Sequence, residues 1–416
     1  MLMTLATRSL WHRRWPVLLI ILSLCLALTA ALSVERIKTL AKTGFEQSLS
    51  GVDLIVGAPG GDVQTLLYTV FHLGEPTQNL SLQPLTELIE QLPVDWWTPI
   101  ALGDSHRGYR VIATQANFFE HVQSAGKRPI ELATGRIFSA PPEVVLGHQV
   151  AASLGYSLGD QIVLQHGTAE LGRQHDDLPF EVVGILAPTG TPNDQAVFTS
   201  LEGFGLIHAG WIGGKTQFSA RDILASIQST DQLRPKTVTA AYIGLKSRLD
   251  VFTVQRAIED DTGQPLYAVL PAVALAKLWN LVGLTDRLFT VISGVLMSIA
   301  LLSLITMSLS NIDSRRREMS LLRLVGAPPS TILLLLALEA VLISLASGII
   351  ALALVTGVEW AAGRWLSDAI GISTTLRWPN LLEWFVLGGA ILASVLSIGP
   401  AAIQLYQTSA RAGLTR

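Results

Sequence analysis

Four side chains that could coordinate a metal ion lie close together in the sequence: His166, His175, Asp176 and Asp177. They fall between two segments predicted to form strands, so we expect them on a hairpin loop. Imidazole nitrogens and carboxylate oxygens on such a loop can bind zinc or a similar cation. The spacing matches no specific metal site, and a solvated loop without metal explains the same residues. Both interpretations stay open.

Other motifs for catalysis or nucleotide binding are incomplete or absent from the sequence. Residues 209–216 read Ala-Gly-Trp-Ile-Gly-Gly-Lys-Thr, which differs from a phosphate-binding loop because Ala209 replaces the first glycine. No clear strand precedes this segment, so we interpret it as a coincidence. No His-Glu-x-x-His motif occurs. We therefore predict a non-catalytic chain that binds no cofactor directly.

The composition indicates a membrane protein. Of the 416 residues, 50% are hydrophobic and only 15% are charged, and the mean hydropathy is +0.45. The net charge of −3 comes without a basic block away from the apolar segments, which argues against nucleic-acid binding. The single cysteine, Cys25, excludes an intrachain disulfide. It lies in an apolar segment, and the preceding Leu24 is too large for a typical lipoprotein processing site.

Four apolar segments are long enough to cross a bilayer, because about 20 helical residues span about 30 Å. We predict transmembrane helices at residues 15–34, 288–312, 330–358 and 384–407. The first segment could instead be a cleaved signal peptide, since arginines precede it and small residues follow it. Its length and the amphipathic pattern that continues through residues 35–50 favour a span with a helical stalk.

Charge asymmetry predicts the orientation of these spans. The loop 313–329 carries four arginines, whereas in the loop 359–383 two arginines, Arg364 and Arg377, are partly balanced by Glu359, Asp368 and Glu383. We therefore place residues 1–14, 313–329 and 408–416 in the cytoplasm and the loop 359–383 in the periplasm. Residues 51–270 then form a large mixed α/β periplasmic domain inserted between helices one and two, with a second stalk at residues 271–287.

Glu339 lies inside the third predicted span, near its cytoplasmic end. A carboxylate in lipid is costly, so an intramembrane acidic residue is by default a candidate functional site. Pairing with the adjacent arginine-rich loop is the equally plausible alternative.

Several motifs resemble the FtsX/MacB-like ABC transporter permeases, a family whose mechanism is called mechanotransmission. The loop at 311–327, Asn-Ile-Asp-Ser-Arg-Arg-Arg-Glu-Met-Ser-Leu-Leu-Arg-Leu-Val-Gly-Ala, is similar to the family's cytoplasmic loop. Glu339-Ala340 and Pro400-Ala401 match in the spans. Four further motifs resemble the family's periplasmic core domain: Gly135-Arg136-Ile137, Glu143-Val144-Val145-Leu146-Gly147, Leu158-Gly159-Asp160 and Val182-Val183-Gly184-Ile185-Leu186.

The resemblance implies that the loop is a coupling helix seated on a cytosolic ABC ATPase. Its residues would be Arg315, Arg316, Arg317, Glu318, Met319, Leu322, Arg323, Gly326 and Ala327. Met319 and Leu322, with Val325, recur at three-residue steps and would form an apolar ridge. The arginines could instead serve only as topology determinants and lipid anchors.

The implied assembly is an inner-membrane permease that contacts lipid, a dimer of ATPase subunits that uses ATP and Mg²⁺, and a second permease copy. Because the chain carries no ATPase domain, the ATPase is expected on a separate subunit. The cargo would be a lipoprotein, peptide, drug or metal-linked molecule handled by the periplasmic domain. Two alternatives remain: a regulator that activates a cell-wall hydrolase, and a sensor partner of a histidine kinase. The size of the domain favours cargo handling.

Overall fold

The computed structural model describes residues 2–47, 51–124, 128–167, 178–209, 211–212, 215–216, 229–314, 328–370 and 378–399. The chain divides into two compact units. The first, here called the membrane unit, comprises residues 1–40, 283–363 and 375–416. The second, here called the core domain, comprises residues 41–282 and 364–374.

The described α-helices include three that exceed 30 residues. Their bounds are α1 Leu2–His12, α2 Arg14–Gln47, α3 Asp62–Val70, α4 Leu82–Glu90, α5 Asn117–His121, α6 His148–Leu154, α7 Leu201–Ala209, α8 Val251–Glu259, α9 Pro271–Ser314, α10 Pro329–Ile370 and α11 Leu381–Leu396. Short 3₁₀ turns lie at Pro192–Gln195, Thr230–Leu233 and Arg248–Asp250.

The strands belong to the core domain and most of them are short. Their bounds are β1 Leu54–Gly57, β2 Leu80–Ser81, β3 Val94–His106, β4 Tyr109–Thr114, β5 Gln123–Ser124, β6 Arg128–Pro129, β7 Leu132–Gly135, β8 Glu143–Leu146, β9 Gln161–Ile162, β10 Gln165–His166, β11 Phe180–Leu186, β12 Ala196–Ser200, β13 Trp211–Ile212, β14 Lys215–Thr216, β15 Thr237–Val238, β16 Ala240–Leu245 and β17 Tyr267–Val269.

Helix α2 is apolar on all sides within its first six turns. Val17, Leu24 and Leu28 are buried on one face, while Leu19 and Leu22 are 68% and 55% exposed on the other. A helix whose buried and exposed faces are both apolar is typical of a membrane span, where lipid covers the outer face. The structure thus supports a span over the first apolar segment.

In the membrane unit, α2 packs against α10 and α11 through small and aliphatic side chains. One buried cluster joins Leu24 and Leu28 of α2 to Val355 of α10 and Ala390 of α11. The Ser344 hydroxyl on α10 donates to the Ser394 hydroxyl on α11 at 2.6 Å. Small polar residues of this kind let transmembrane helices approach closely and bond across the gap.

Two described helices are long and apolar enough to cross a membrane, Arg14–Arg36 and Ser330–Ala361. Shorter apolar stretches, Thr290–Ile299 and Glu383–Leu396, fall at the second and fourth predicted spans. Helix α11 ends at Leu396, shortly before Pro400, a residue type that disfavours helix at the position before it. Two of the four predicted spans are therefore long and apolar enough to cross a membrane in the described structure. The total of four spans stays a prediction.

The core domain is built on a mixed sheet of eleven strands. Nine form the path β17-β1-β16-β3-β4-β12-β8-β11-β7, while β10 pairs with β3 and β9 with β11. The long strand β3 takes part in both halves of this sheet. Its residues 94–100 pair with β16 in one half, and its residues 101–106 pair with β4 in the other. The two halves are therefore joined through one continuous strand.

The four core-domain motifs named above meet in one part of the sheet. Strand β11 pairs in parallel with β8 and antiparallel with β7, and the Gly159 amide donates to the Val182 carbonyl at 2.8 Å. Gly135 has a φ of +83°, and a Cβ there would come within 2.1 Å of the Val183 carbonyl oxygen. Only glycine fits this position, so the glycine of the motif has a packing reason.

Candidate functional site

A buried ion cluster lies in the membrane unit, one or two residues beyond the ends of three apolar segments. The Arg36 guanidinium on α2 donates from Nε to Glu383 Oε1 at 3.2 Å and from one terminal nitrogen to Glu383 Oε2 at 3.4 Å. Its other terminal nitrogen donates to Glu359 Oε2 on α10 and, at 3.4 Å, to the Thr356 hydroxyl one turn earlier. One cation thus ties α2 to both α10 and α11.

The local sequence explains why these groups meet. Asn380 caps α11, its side chain accepting a hydrogen bond from the Glu383 amide at 2.8 Å. The cap holds Glu383 in the first turn, where the helix dipole favours a negative charge. Arg36 and Glu383 are 3% and 0% exposed. Burying such charges costs several kcal/mol each unless they are paired, so the three ions depend on one another.

Sequence reasoning missed this cluster. From the sequence, Glu359 and Glu383 are only loop charges that offset Arg364 and Arg377. The position of these charges relative to the predicted spans could have revealed the cluster. Arg36, Glu359 and Glu383 each lie within two residues of an apolar segment. All three fall at the same predicted boundary of the bilayer, where the arginine and the two glutamates have opposite charges.

Glu339, the intramembrane carboxylate expected from the sequence, lies on α10 and is 5% exposed. On the same helix, Leu336 and Ala340 join Ile332 in a small apolar cluster with Ile398, which lies two residues beyond the end of α11. The structure therefore buries Glu339 within the membrane unit. Its functional role stays a prediction.

The predicted coupling residues fall outside the described part of the chain. Helix α9 ends at Ser314 and α10 begins at Pro329, while residues 315–327 lie between the described ranges. The assignment of Arg315 to Ala327 as a coupling element therefore stays a prediction.

The predicted metal-binding loop is described only at His166, because His175, Asp176 and Asp177 lie outside the described residues. His166 is instead brought together with two residues that the sequence did not single out, Asp104 and His208. His166 Nδ1 lies 3.0 Å from Asp104 Oδ1, and His208 Nε2 lies 3.8 Å from the same oxygen. The hydrogen bond to Asp104 raises the pKa of His166 above its ordinary value.

The segment 209–216 follows the helix α7 and contains the paired two-residue strands β13 and β14. A phosphate-binding loop follows a strand and opens a helix. The preceding helix supports the interpretation of this motif as a coincidence.

An exposed arginine orders the turn that leads into β8. Arg136 makes a two-pronged contact with Glu143, at 2.6 and 2.7 Å, and the Ser139 and Ala140 amides donate to the same carboxylate at 2.7 and 3.1 Å. The hydrogen bonds from Arg136 make the largest contribution, and together with the amide bonds they lower the pKa of Glu143 from 4.5 to about 2. The pair braces the turn that enters β8 and offers no open catalytic group.

Comparison with known families covers most of the chain. Residues 17–261 match the family described as the MacB-like periplasmic core domain. Residues 290–410 match the family described as the FtsX-like permease C-terminal region. The second match includes the predicted coupling loop and the last three predicted spans.

Among solved structures, the chain is similar to the extracellular domain of the noncanonical ABC-type transporter YknZ from Gram-positive bacteria. The two share 10% identity over 53% of this chain and 98% of that one, with a TM-score of 0.29, a value too low to support an argument. No curated protein matches. On the strength of the two family matches, the chain belongs to the FtsX/MacB-like ABC transporter permeases.

Proposed function

We propose that the protein is the permease subunit of an ABC transporter complex that moves its core domain in response to ATP hydrolysis by a separate subunit. The loop 313–329 receives the motion from a dimer of cytosolic ATPases, and a second copy of the permease completes the complex. Both termini are cytoplasmic and the core domain faces the periplasm. The cargo is a lipoprotein, a peptide, a drug or a metal-linked molecule.

The observation that carries this proposal is the continuity of the two helices that flank the core domain in sequence. Helix α2 runs without a break from Arg14 to Gln47, and α9 runs from Pro271 to Ser314. At 1.5 Å per residue, 34 and 44 residues correspond to about 51 and 66 Å. Both lengths exceed the bilayer thickness of about 30 Å, so each helix continues well beyond its apolar segment.

Such helices suit the transmission of force. A continuous α-helix without a proline or a break in its interior resists bending, whereas kinks have identifiable causes. In α9 the only proline is the first residue, Pro271, where it fits the N-terminal turn. Movement at the Ser314 end, next to the predicted coupling loop, would therefore reach the Pro271 end.

The ion cluster supports a related role for the first span. Arg36 holds α2 to α10 and α11 through Glu359 and Glu383. A displacement of the C-terminal helices would therefore carry α2 along instead of sliding past it. We infer that α2, α10 and α11 move together during the ATPase cycle.

Two other functions use the same motion and stay as alternatives. An FtsX-like regulator would activate a cell-wall hydrolase in the periplasm, and a sensor would signal to a histidine kinase. The core domain of residues 41–282 is large for a domain that only activates a hydrolase, which favours cargo handling. Loss of hydrolase activity at the cell surface after deletion of the gene would favour the regulator instead.

The coupling assignment can be tested by purifying the tagged full chain from its own membranes and identifying an ABC ATPase by mass spectrometry. The double variant Met319→Asp, Leu322→Asp should no longer recover that ATPase, because charged side chains disrupt an apolar docking ridge. The matched control is Phe252→Asp, which introduces an acidic residue at an apolar position of the core domain that is 70% exposed. Unchanged ATPase recovery with the double variant would refute the coupling role of the loop.

A further inference from the structure

We propose that Asp104, His166 and His208 form a binding site for one divalent transition-metal ion of the zinc class, open to a cavity in the core domain. This proposal is independent of the coupling function. It rests on the placement of the three residues, their distances, the burial of the carboxylate and the orientation of one imidazole.

Three elements of the core domain converge to build the site. Strand β10 pairs antiparallel with β3 in a register that sets His166 opposite Asp104. Side chains directly opposite each other in an antiparallel pair lie on the same face of the sheet. His208 comes from the last turn of α7. Two neighbouring strands and one helix therefore fix the ligands, instead of a single loop.

The distances fit a small coordination sphere. The candidate ligand atoms, one from each residue, all lie within 4.8 Å of one another. Two of the separations are 3.0 Å, from Asp104 Oδ1 to His166 Nδ1, and 3.8 Å, from Asp104 Oδ1 to His208 Nε2. Ligands at about 2.0 to 2.1 Å from a tetrahedral zinc ion lie roughly 3.3 Å apart, so only small adjustments are needed.

The carboxylate needs positive charge. Asp104 is fully buried, and no donor within the described part of the chain bonds to its Oδ2 atom, which is itself buried. Burying a carboxylate with an unsatisfied oxygen costs free energy, so buried carboxylates in proteins are usually paired with a cation or coordinate a metal ion. This oxygen is an independent sign that a ligand belongs here.

The orientation of His208 also favours a cation. Its Nδ1 lies 2.8 Å from the backbone carbonyl oxygen of Phe204. Because a carbonyl oxygen only accepts, Nδ1 carries a proton, and Nε2 is the ring nitrogen that faces Asp104. A nitrogen and a carboxylate oxygen facing each other in this way can share either a proton or a metal ion. A hydrogen bond from the other ring nitrogen to a carbonyl is also the usual second-shell arrangement of a metal-bound histidine.

The surroundings leave room for a further ligand. His166 and His208 line a cavity of about 890 Å³ whose walls include Glu75, Asn79 and Lys236. Two histidines and one carboxylate with an open position form a ligand set that zinc accepts readily, with solvent or an exogenous group as the fourth ligand. The only cysteine of the chain is Cys25, far along the sequence in α2, so the described ligands are nitrogen and oxygen only.

Calorimetric titration of the metal-stripped, untagged full chain in detergent with Zn²⁺ provides the test. We expect one ion per chain and an affinity at least about 100-fold lower in His208→Ala and Asp104→Asn, since even second-shell changes cost 10- to 100-fold. His121→Ala is the matched control, because His121 also ends a short helix and bonds through Nδ1 to the carbonyl four residues earlier, that of Asn117. Absence of binding, or wild-type affinity in both ligand variants, would overturn the proposal.

A second measurement uses only the wild-type chain and so does not depend on the folding of any variant. Diethylpyrocarbonate modifies free imidazole nitrogens, and mass spectrometry locates the modified residues. Zn²⁺ should slow modification of His208 and His166 at least about tenfold while leaving His121 unchanged. Equal modification rates at His208 with and without Zn²⁺ would contradict a metal site.

Discussion

Replacing Arg36 with methionine should destabilise the membrane unit strongly. The side chain is 3% exposed and holds two carboxylates, one of them, Glu383, fully buried. Removing one partner of a buried ion pair leaves an uncompensated charge and costs about 3 to 5 kcal/mol. With about 2 to 4 °C for each kcal/mol in a unit of this size, the apparent unfolding temperature should fall by roughly 6 to 20 °C.

The assay is thermal unfolding of the full chain in detergent, followed by intrinsic tryptophan fluorescence. The matched control is Arg248→Met, since Arg248 pairs with Asp53 at 3.6 Å but its side chain is 90% exposed. An exposed pair contributes about 0 to 1 kcal/mol, so this variant should unfold close to the wild-type temperature.

A triple variant separates loss of charge balance from loss of packing. Arg36→Met combined with Glu359→Gln and Glu383→Gln removes all three charges and should recover more than half of the lost stability, because neutral replacement of a buried ion group is nearly neutral in energy. Wild-type stability in Arg36→Met, or a triple variant no more stable than the single one, would refute the ion cluster as the tie between α2, α10 and α11.

Two further predictions concern orientation and the core domain. In a Cys25→Ser background, Arg316→Cys should be protected from an impermeant thiol reagent in intact cells and Asp176→Cys should be labelled; the reverse pattern would overturn the proposed topology. Because the pKa of Glu143 is lowered from 4.5 to about 2, its contribution to stability is complete above pH 4.5 and is lost as the pH falls toward 2. Arg136→Met should flatten this acid-induced loss in thermal unfolding scans, and an equally steep loss would contradict the role of Arg136.

The elements of the core domain were largely predictable from local pattern. The local pattern of the sequence predicts a strand at Phe180–Leu186, which is present with those bounds, and a helix at 149–154, which is observed at His148–Leu154. The helical spacing of Val254, Ala257 and Ile258 predicts a helix at 253–262, and the observed helix runs from Val251 to Glu259. Alternating and helical apolar periods act over a few residues, so a single sequence reveals them.

The sites were less predictable, because they depend on pairing between distant segments. Asp104 and His166 lie 62 residues apart, and only the register of β10 against β3 brings them together. Arg36 and Glu383 are separated by 347 residues. His166 was singled out for its neighbours in sequence, yet its partners in the described structure are Asp104 and His208. Residue type drew attention to His166, while the predicted partners His175, Asp176 and Asp177 lie outside the described residues and stay a prediction.

The central claim is that ATP hydrolysis moves the core domain through the loop 313–329. Hydrogen exchange measured by mass spectrometry on the purified complex with its ATPase, trapped with ATP and vanadate or held with ADP, tests it most directly. We predict that exchange in the core domain differs between the two nucleotide states, and that the difference disappears when Met319 and Leu322 are both replaced by Asp. A complex that hydrolyses ATP while exchange in residues 51–270 stays identical in both states would contradict the claim.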